Sequence, residues 1–204
     1  MQRFHQKMSD RFATLWPAED KTLVFGEGQS DHPAIMLIGE APGEQETLQG
    51  RPFVGKAGKN LDSFLEIVGL KREDIYISNV VKIRPTKVSD KGRLSNRPPN
   101  KEELALFTPY LYEEILLVQP RMIVTLGNVA LRALAGPKAV IGSMHGAASI
   151  VTVSYEKQTM ECSLFPLYHP ASIIYNRALQ EVYQADLQAL KKQLPAPAVQ
   201  QENP

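Results

Sequence analysis

Apolar residues in this chain fall into short unbroken runs that alternate with stretches of helical spacing, and the alternation lays out an order of elements. Ala34-Ile35-Met36-Leu37-Ile38 is an apolar run of strand length, and Leu61, Phe64, Leu65 and Val68 follow it at i, i+3, i+4 and i+7, one face of a helix. This predicts a strand at 34–39 and a helix from about Lys56 to Val68, stopped by Gly69. Ile75–Val81 predicts a second strand and Met122–Gly127 a third, followed directly by a helix over Asn128–Leu134. Between them Asn100 is placed as an N-cap, with Glu102 and Glu103 in the first turn of a helix reaching Leu117. Residues 149–167 alternate in places and predict a hairpin or a fourth strand, and a closing helix runs to Leu194. Residues 1–30 are polar and mixed and predict an N-terminal helix with an irregular lead-in. Thr86–Asn96, almost without apolar content, predicts a mobile surface loop. Pro195–Pro204 has no pattern and predicts a disordered tail.

Strands alternating with helices imply a parallel sheet covered on both faces. The expected fold is a three-layer α/β/α architecture around a central, mostly parallel four-stranded sheet. The expected organisation is a helical lead-in at 1–23, one domain at 24–194 and the tail at 195–204.

Composition changes this picture little. At 204 residues the chain is long enough for one well-buried domain and short for two. Lysine plus arginine (23) nearly balances aspartate plus glutamate (22), so any nucleic-acid surface is a local patch and not a global field. The single cysteine, Cys162, excludes an internal disulfide framework and a tetracysteine metal site made by one chain, and in its apolar strand it reads as a buried thiol. No apolar stretch approaches the roughly 20 residues needed to cross a bilayer, and Met1–Phe12 has no signal-peptide core. The expectation is a cytoplasmic, monomeric protein with no membrane partner.

Candidate chemistry centres on one loop. Gly39-Glu40-Ala41-Pro42-Gly43-Glu44-Gln45-Glu46 and Gly50-Arg51-Pro52-Phe53-Val54-Gly55-Lys56-Ala57-Gly58 lie between the first strand and its helix. In an open α/β sheet, ligands sit at the carboxyl ends of strands. The loops after the first, second and last strands would bring Glu40–Phe53, Asn79 and His169 to one crevice. His145 reads as a residue of a surface turn, and the basic stretch 82–97 as a solvated loop or a DNA-backbone contact.

These motifs resemble those of the family 4 uracil-DNA glycosylases. Gly39-Glu40-Ala41-Pro42-Gly43 with Gly50-Arg51-Pro52-Phe53-Val54-Gly55 is similar to the family's first motif. Tyr76-Ile77-Ser78-Asn79-Val80-Val81-Lys82 with Arg84-Pro85 is similar to its uracil-reading strand, and His169-Pro170-Ala171-Ser172 to its second catalytic motif. The likeness spans residues 24–192 in matching order. The resemblance implies a monofunctional glycosylase that hydrolyses the N-glycosidic bond of uracil in single- or double-stranded DNA. Base flipping and a water nucleophile would serve the reaction, as in base excision repair. It also implies an iron-sulfur cluster on four cysteines, and here the chain departs. Ile83 and Phe107 stand where cluster cysteines are expected and the N-terminal pair is missing, so no cluster or other cofactor is expected, its volume being filled by apolar side chains. Two further departures are Tyr175 in place of an arginine, with Arg177 two residues on, and the insertion around Lys87–Arg93.

The resemblance assigns Glu40, Glu46 and His169 as catalytic, and Ala41, Gly43, Phe53 and Asn79 as substrate-binding. Lys56, Arg84, Arg97 and Ser172 are the expected DNA contacts. An amide such as Asn79 pairs with both O4 and N3 of uracil, Phe53 stacks on the base, and His169 donates to O2 of the leaving base. Glu40 or Glu46 would orient water or stabilise the sugar cation, and Glu46 would alternatively exclude the thymine methyl group. Backbone amides of Ala41 and Gly43 would cradle phosphates or the base. Two other readings stay open: a glycosylase for hypoxanthine or xanthine, and a DNA-binding protein of the same fold that has lost catalysis.

Overall fold

The computed structural model describes residues 1–16, 21–90, 92–174 and 178–194. Helix α1 (Gln2–Leu15) opens the chain, followed by a short strand β1 (Glu27–Gly28), strand β2 (Met36–Gly39), and helices α2 (Glu44–Gln49) and α3 (Lys56–Val68). Then come β3 (Tyr76–Asn79), β4 (Thr86–Val88), β5 (Leu94–Asn96), α4 (Lys101–Val118), β6 (Met122–Leu126), α5 (Gly127–Ala135) and α6 (Ile141–Met144). Strands β7 (Ser149–Tyr155) and β8 (Gln158–Leu167) and helices α7 (Pro170–Ile174) and α8 (Ala178–Gln193) complete the order.

One sheet runs β1-β3-β2-β6-β8-β7. The pairs β2–β3, β2–β6 and β6–β8 are parallel, so the four-stranded parallel centre expected from the sequence is present. Antiparallel edges β1 and β7 extend it to six strands. Alternation along the strands sends residues to two opposite cores. Met36, Ile38, Tyr76 and Ile123 pack with α1, α4 and α5, whereas Leu37, Ile77, Val124 and Phe165 pack with α3 and α8. Helix α1 belongs to the first core through Phe4, Met8 and Phe12.

Three features correct or extend the expectations from sequence. The segment 86–96 is an ordered antiparallel hairpin with Val88 opposite Leu94 and Thr86 opposite Asn96, not a loop without structure. Its turn closes through Gly92 N–H to the Ser89 carbonyl (2.8 Å), with Gly92 at φ +72°, a conformation that suits glycine. At its base Arg97 donates to the Thr86 carbonyl (3.0 Å) and holds Glu103 with two bonds of 2.7 Å. That ties the hairpin to the capped start of α4, where Asn100 accepts from Glu103 N–H. Second, residues 149–167 supply both a hairpin and the fourth parallel strand. Third, the stretch after Gly43 coils into α2, which ends on Gly50 in the left-handed conformation. Tyr175, Arg177 and the tail 195–204 lie outside the described residues.

Lys82, grouped by sequence with the basic surface stretch, is fully buried and so is Glu114 on α4. The Lys82 ammonium donates to Glu114 (2.6 Å), to the Ser78 hydroxyl (2.6 Å) and to the Asn79 carbonyl (2.7 Å). Tyr76 and Ser78 hydroxyls complete the shell of the Glu114 carboxylate. Burial and the Glu114 carboxylate push the Tyr76 phenol well above its ordinary range. A buried ion pair of this kind persists only when its remaining valences are satisfied. Here it pins the end of β3. Among the described residues no helix is long and apolar enough to cross a membrane.

Candidate active site

Adjacent parallel strands β2 and β3 bring Gly39 level with Asn79. A Cβ on Gly39 would lie 2.5 Å from the Asn79 amide oxygen and 2.6 Å from the Phe53 ring, so only glycine lets those two side chains meet there. Asn79 is buried, yet its side-chain amide has no hydrogen-bond partner among the described residues. The residue lines a cavity of about 390 Å³ together with Ala41, Gly43, Glu46, Phe53, Asn96 and His169, leaving the amide free to pair with an occupant.

Phe53 sits in the left-handed region at φ +54°, a conformation that costs a non-glycine residue about 1–3 kcal/mol. Arg72 holds it there: one guanidinium nitrogen donates to the Phe53 carbonyl (2.6 Å) while another bonds Asp62 (2.9 Å). Sequence reasoning misses Arg72, because nothing in its local pattern points to a loop 19 residues earlier.

His169 follows β8, and Gly127, at φ +82°, makes room for it: a Cβ on Gly127 would stand 3.2 Å from that of His169. The His169 Nδ1 accepts from the Ala171 N–H (3.2 Å), which places the ring proton on Nε2. Burial lowers the His169 pKa, reinforcing the neutral ring. The imidazole therefore presents an N–H donor to the cavity and no charge.

The two candidate glutamates are placed differently. Glu46 is buried, and its carboxylate accepts from the backbone N–H groups of Gly43 (3.1 Å), Val54 (3.0 Å) and Gly55 (2.7 Å). It staples the two halves of the loop together, with the Gly43 amide engaged in that staple. Glu40 has no hydrogen-bond or ion-pair partner among the described residues and lines a second cavity of about 410 Å³, with Gly127, Asn128, Tyr168, His169 and Ser172. Burial raises its pKa. Ala41, Gly43, Asn96 and His169 form the wall common to both cavities. Asn96, at the base of the hairpin, is a further residue that sequence reasoning misses.

Of the expected DNA contacts, Ser172 and Arg97 line the second cavity. The Arg97 guanidinium is engaged by Glu103, and Arg84 bonds Asn96 (2.7 Å) and Glu44 (3.5 Å), so both cations brace the hairpin base. Lys56 opens α3, and its side chain lies outside the described residues. His145 pairs with Asp186 on α8 (2.8 Å) and packs beside Tyr168.

The sequence profile of the uracil DNA glycosylase superfamily matches residues 25–191, a span that holds every residue of both cavities. The chain belongs to that superfamily. Within it, the chain is similar to the type-4 uracil-DNA glycosylase of Saccharolobus solfataricus, 36% identical over 190 residues covering 93% of this chain and 83% of the relative. It is also similar to the type-4 enzymes of Pyrobaculum aerophilum, 37% identical over 82% of this chain and 81% of the relative, and of Thermotoga maritima, 37% identical over 83% and 81%.

The residues present do not fit the iron-sulfur cluster that the family 4 resemblance implies. Ile83 and Phe107 are buried in the first core, and Phe107 stacks on Phe12 with ring centroids 4.8 Å apart and planes 4° from parallel. Cys162, on β8, donates to the Pro120 carbonyl, and burial pushes its thiol up to about 11, away from the thiolate a metal needs. No group of three or more metal-ligating side chains occurs among the described residues.

Proposed function

We propose that this protein is a monofunctional uracil-DNA glycosylase that acts on uracil turned out of the DNA stack. The observation that carries the reading is the side-chain amide of Asn79, bonded to no other described residue, in the wall of a cavity that Phe53 and His169 also line. Uracil presents O4, an acceptor, beside N3–H, a donor, and one carboxamide satisfies both. The ring of Phe53 supplies a stacking surface for the base, worth about 1–3 kcal/mol by analogy with single-strand binding proteins. Three relatives that share most of their length with this chain carry the same activity in their names.

Hydrolysis breaks the bond between C1′ and N1, with its electron pair leaving on the base. Negative charge then grows on uracil O2, and the neutral His169 donates its Nε2–H to that oxygen. A donor aimed at charge that develops only in the transition state is worth about 2.7–4 kcal/mol by analogy with oxyanion holes. Water attacks C1′, where positive charge accumulates, and the proton it loses ends on the departing uracil anion by way of solvent, leaving C1′–OH and neutral uracil. Glu40, unpartnered and across the common wall from the base, orients that water and stabilises the cation as a carboxylate. Glu46, its carboxylate engaged by three backbone amides, positions the loop around the base. No lysine lines either cavity among the described residues, which favours water over a Schiff base. The protein works without an iron-sulfur cluster, its place taken by Phe12, Ile83 and Phe107.

Purified protein is offered oligonucleotides containing uracil, hypoxanthine or xanthine, single- and double-stranded, beside His169→Ala, and its iron is assayed. Release of uracil, slowed about 100- to 1,000-fold in the variant, from iron-free protein supports the reading. No release from any substrate with DNA binding retained refutes it, and release of a purine base alone would reassign the substrate.

A further inference from the structure

Helices α6 and α8 lie on opposite faces of the sheet. Ile141 of α6 belongs to the first core, whereas Tyr183, Leu187 and Leu190 of α8 belong to the second. One pair of side chains joins the two layers across the end of β8. The Asp186 carboxylate, on α8, accepts from Nδ1 of His145, the residue that caps the end of α6, at 2.8 Å. Asp186 is only 7% exposed, and among the described residues its side chain bonds His145 alone. A carboxylate left unpaired at that depth is costly. Gly146, at φ +70°, is what lets the two meet, because a Cβ there would collide with the Asp186 carboxylate.

The pair stands against the segment that carries His169. Gly146 N–H donates to the Pro166 carbonyl near the end of β8 (3.0 Å), and the His145 ring packs on Tyr168 with ring centroids 4.9 Å apart. Tyr168 immediately precedes His169 and lines the cavity of about 410 Å³ with it. Strand β8 ends at Leu167 and α7 begins at Pro170, so Tyr168 and His169 form a two-residue connection outside the ladder. The direction of that connection is set by what packs on it and not by strand register. Asp186 and His145 line neither cavity.

We propose that Asp186 and His145 are positioning residues for His169, clamping Tyr168 so that the Nε2–H donor is aimed at the departing base. The proposal rests on the reading that the cavities hold a flipped uracil nucleotide. Asp186 fixes the plane of the His145 ring, the ring fixes Tyr168, and Tyr168 sets the backbone from which His169 projects. A misplacement of about 1 Å in such a donor costs about 100-fold in rate. Because the clamp acts on the reacting geometry and not on the grip for DNA, its loss lowers kcat and leaves KM within about twofold.

The test is single-turnover excision across a range of DNA concentrations by Asp186→Ala, Asp186→Asn and His145→Ala, each also in the His169→Ala background. Nitrogen-proton spectra of the imidazole rings are recorded beside it. In Asp186→Ala the maximal rate falls about tenfold to 100-fold, and the His169 ring signals, a single neutral Nε2–H tautomer in the wild type, broaden or split. Asp186→Asn keeps an acceptor for the His145 Nδ1–H and restores most of the rate. Once His169 is alanine the same changes have little further effect, because the clamp acts through that ring. If Asp186→Ala does not fold, His145→Ala, at a side chain 26% exposed, carries the same comparison. Equal losses with and without His169, or an unchanged His169 spectrum in the folded variant, overturn the proposal and leave the pair a structural tie. Failure of the wild type to release uracil would instead strike the reading of the cavity, while the ring spectra still decide the clamp.

Discussion

Lys82→Met removes the cation at the centre of the buried network behind Asn79. The wild-type ammonium makes three contacts, of 2.6, 2.6 and 2.7 Å, to Ser78, Glu114 and the Asn79 carbonyl, and neither it nor Glu114 reaches solvent. Methionine matches the length of the stem but leaves the Glu114 carboxylate buried with only the Tyr76 and Ser78 hydroxyls, and the Asn79 carbonyl with no donor from residue 82. Breaking a buried pair from one side costs about 3–5 kcal/mol, against a total stability of about 5–15 kcal/mol for a protein. With a urea dependence of about 2 kcal/mol per molar, the unfolding midpoint falls by roughly 1.5–2.5 M. Neutralising the stranded carboxylate in Lys82→Met/Glu114→Gln restores much of that loss, because the penalty is the unpaired charge and not the missing attraction. Excision by the single variant, under conditions where it is folded, falls about tenfold, equivalent to about 1.4 kcal/mol, since the strand end that aims Asn79 loses its anchor. Urea melts followed by circular dichroism and single-turnover kinetics read both effects. A Lys82→Met protein within about 1 kcal/mol of wild type, or a double variant no more stable than the single one, would refute the argument that this pair holds the site by charge compensation.

Acidification removes activity through both titrating groups. In the proposed mechanism His169 acts as the neutral ring and Glu40 as the carboxylate; burial lowers the His169 pKa from 6.5 and raises that of Glu40 from 4.5, so kcat/KM is expected to fall as the pH is taken from neutral towards acid. Profiles of the wild type and of His169→Ala check this, the variant's residual acid limb reporting Glu40. The same signs apply to stability: the lowered His169 pKa contributes stability present above pH 6.5 and lost as pH falls, and the raised Glu40 pKa contributes stability present at acid pH and lost as pH rises through it. Arg72→Ala releases Phe53 from its left-handed conformation and lowers kcat/KM about tenfold. In the Phe53→Ala background the same change has little further effect, because Arg72 acts on the reaction through the ring it positions. Additive losses in that double-mutant cycle would show that Arg72 acts elsewhere.

What can be read from the sequence follows the range of the forces involved. Elements built from local pattern are legible: the run at 34–38, the helix face from Leu61 to Val68 and the Asn100 cap each appear within a residue or two of their places. Loops gathered by the parallel strands are legible too, and Glu40, Phe53, Asn79 and His169 do converge. The hairpin is hidden because its order comes from Arg97 reaching forward to Glu103 and back to Thr86, while Val88 and Leu94 look like isolated apolar residues in a polar stretch. Lys82 reads as a surface cation because its counter-ion is 32 residues away on a helix. The stapling part of Glu46 is equally hidden. Its partners, backbone amides at 43, 54 and 55, leave no mark in the sequence, since every residue but proline has an N–H.

The level pairing of Gly39 with Asn79 has a wider consequence. In a strand a slip of one residue turns a side chain to the opposite face, so Asn79 would leave the crevice for the core if β3 shifted by a single step. The site also draws on Gly127 and His169, which follow β6 and β8, strands locked in register along their whole overlap. Four segments spread over 130 residues must close together before a base can be held, and such non-local closure comes late in folding. A chain whose central sheet is incomplete therefore lacks the assembled cavity, whatever its basic side chains do with phosphate.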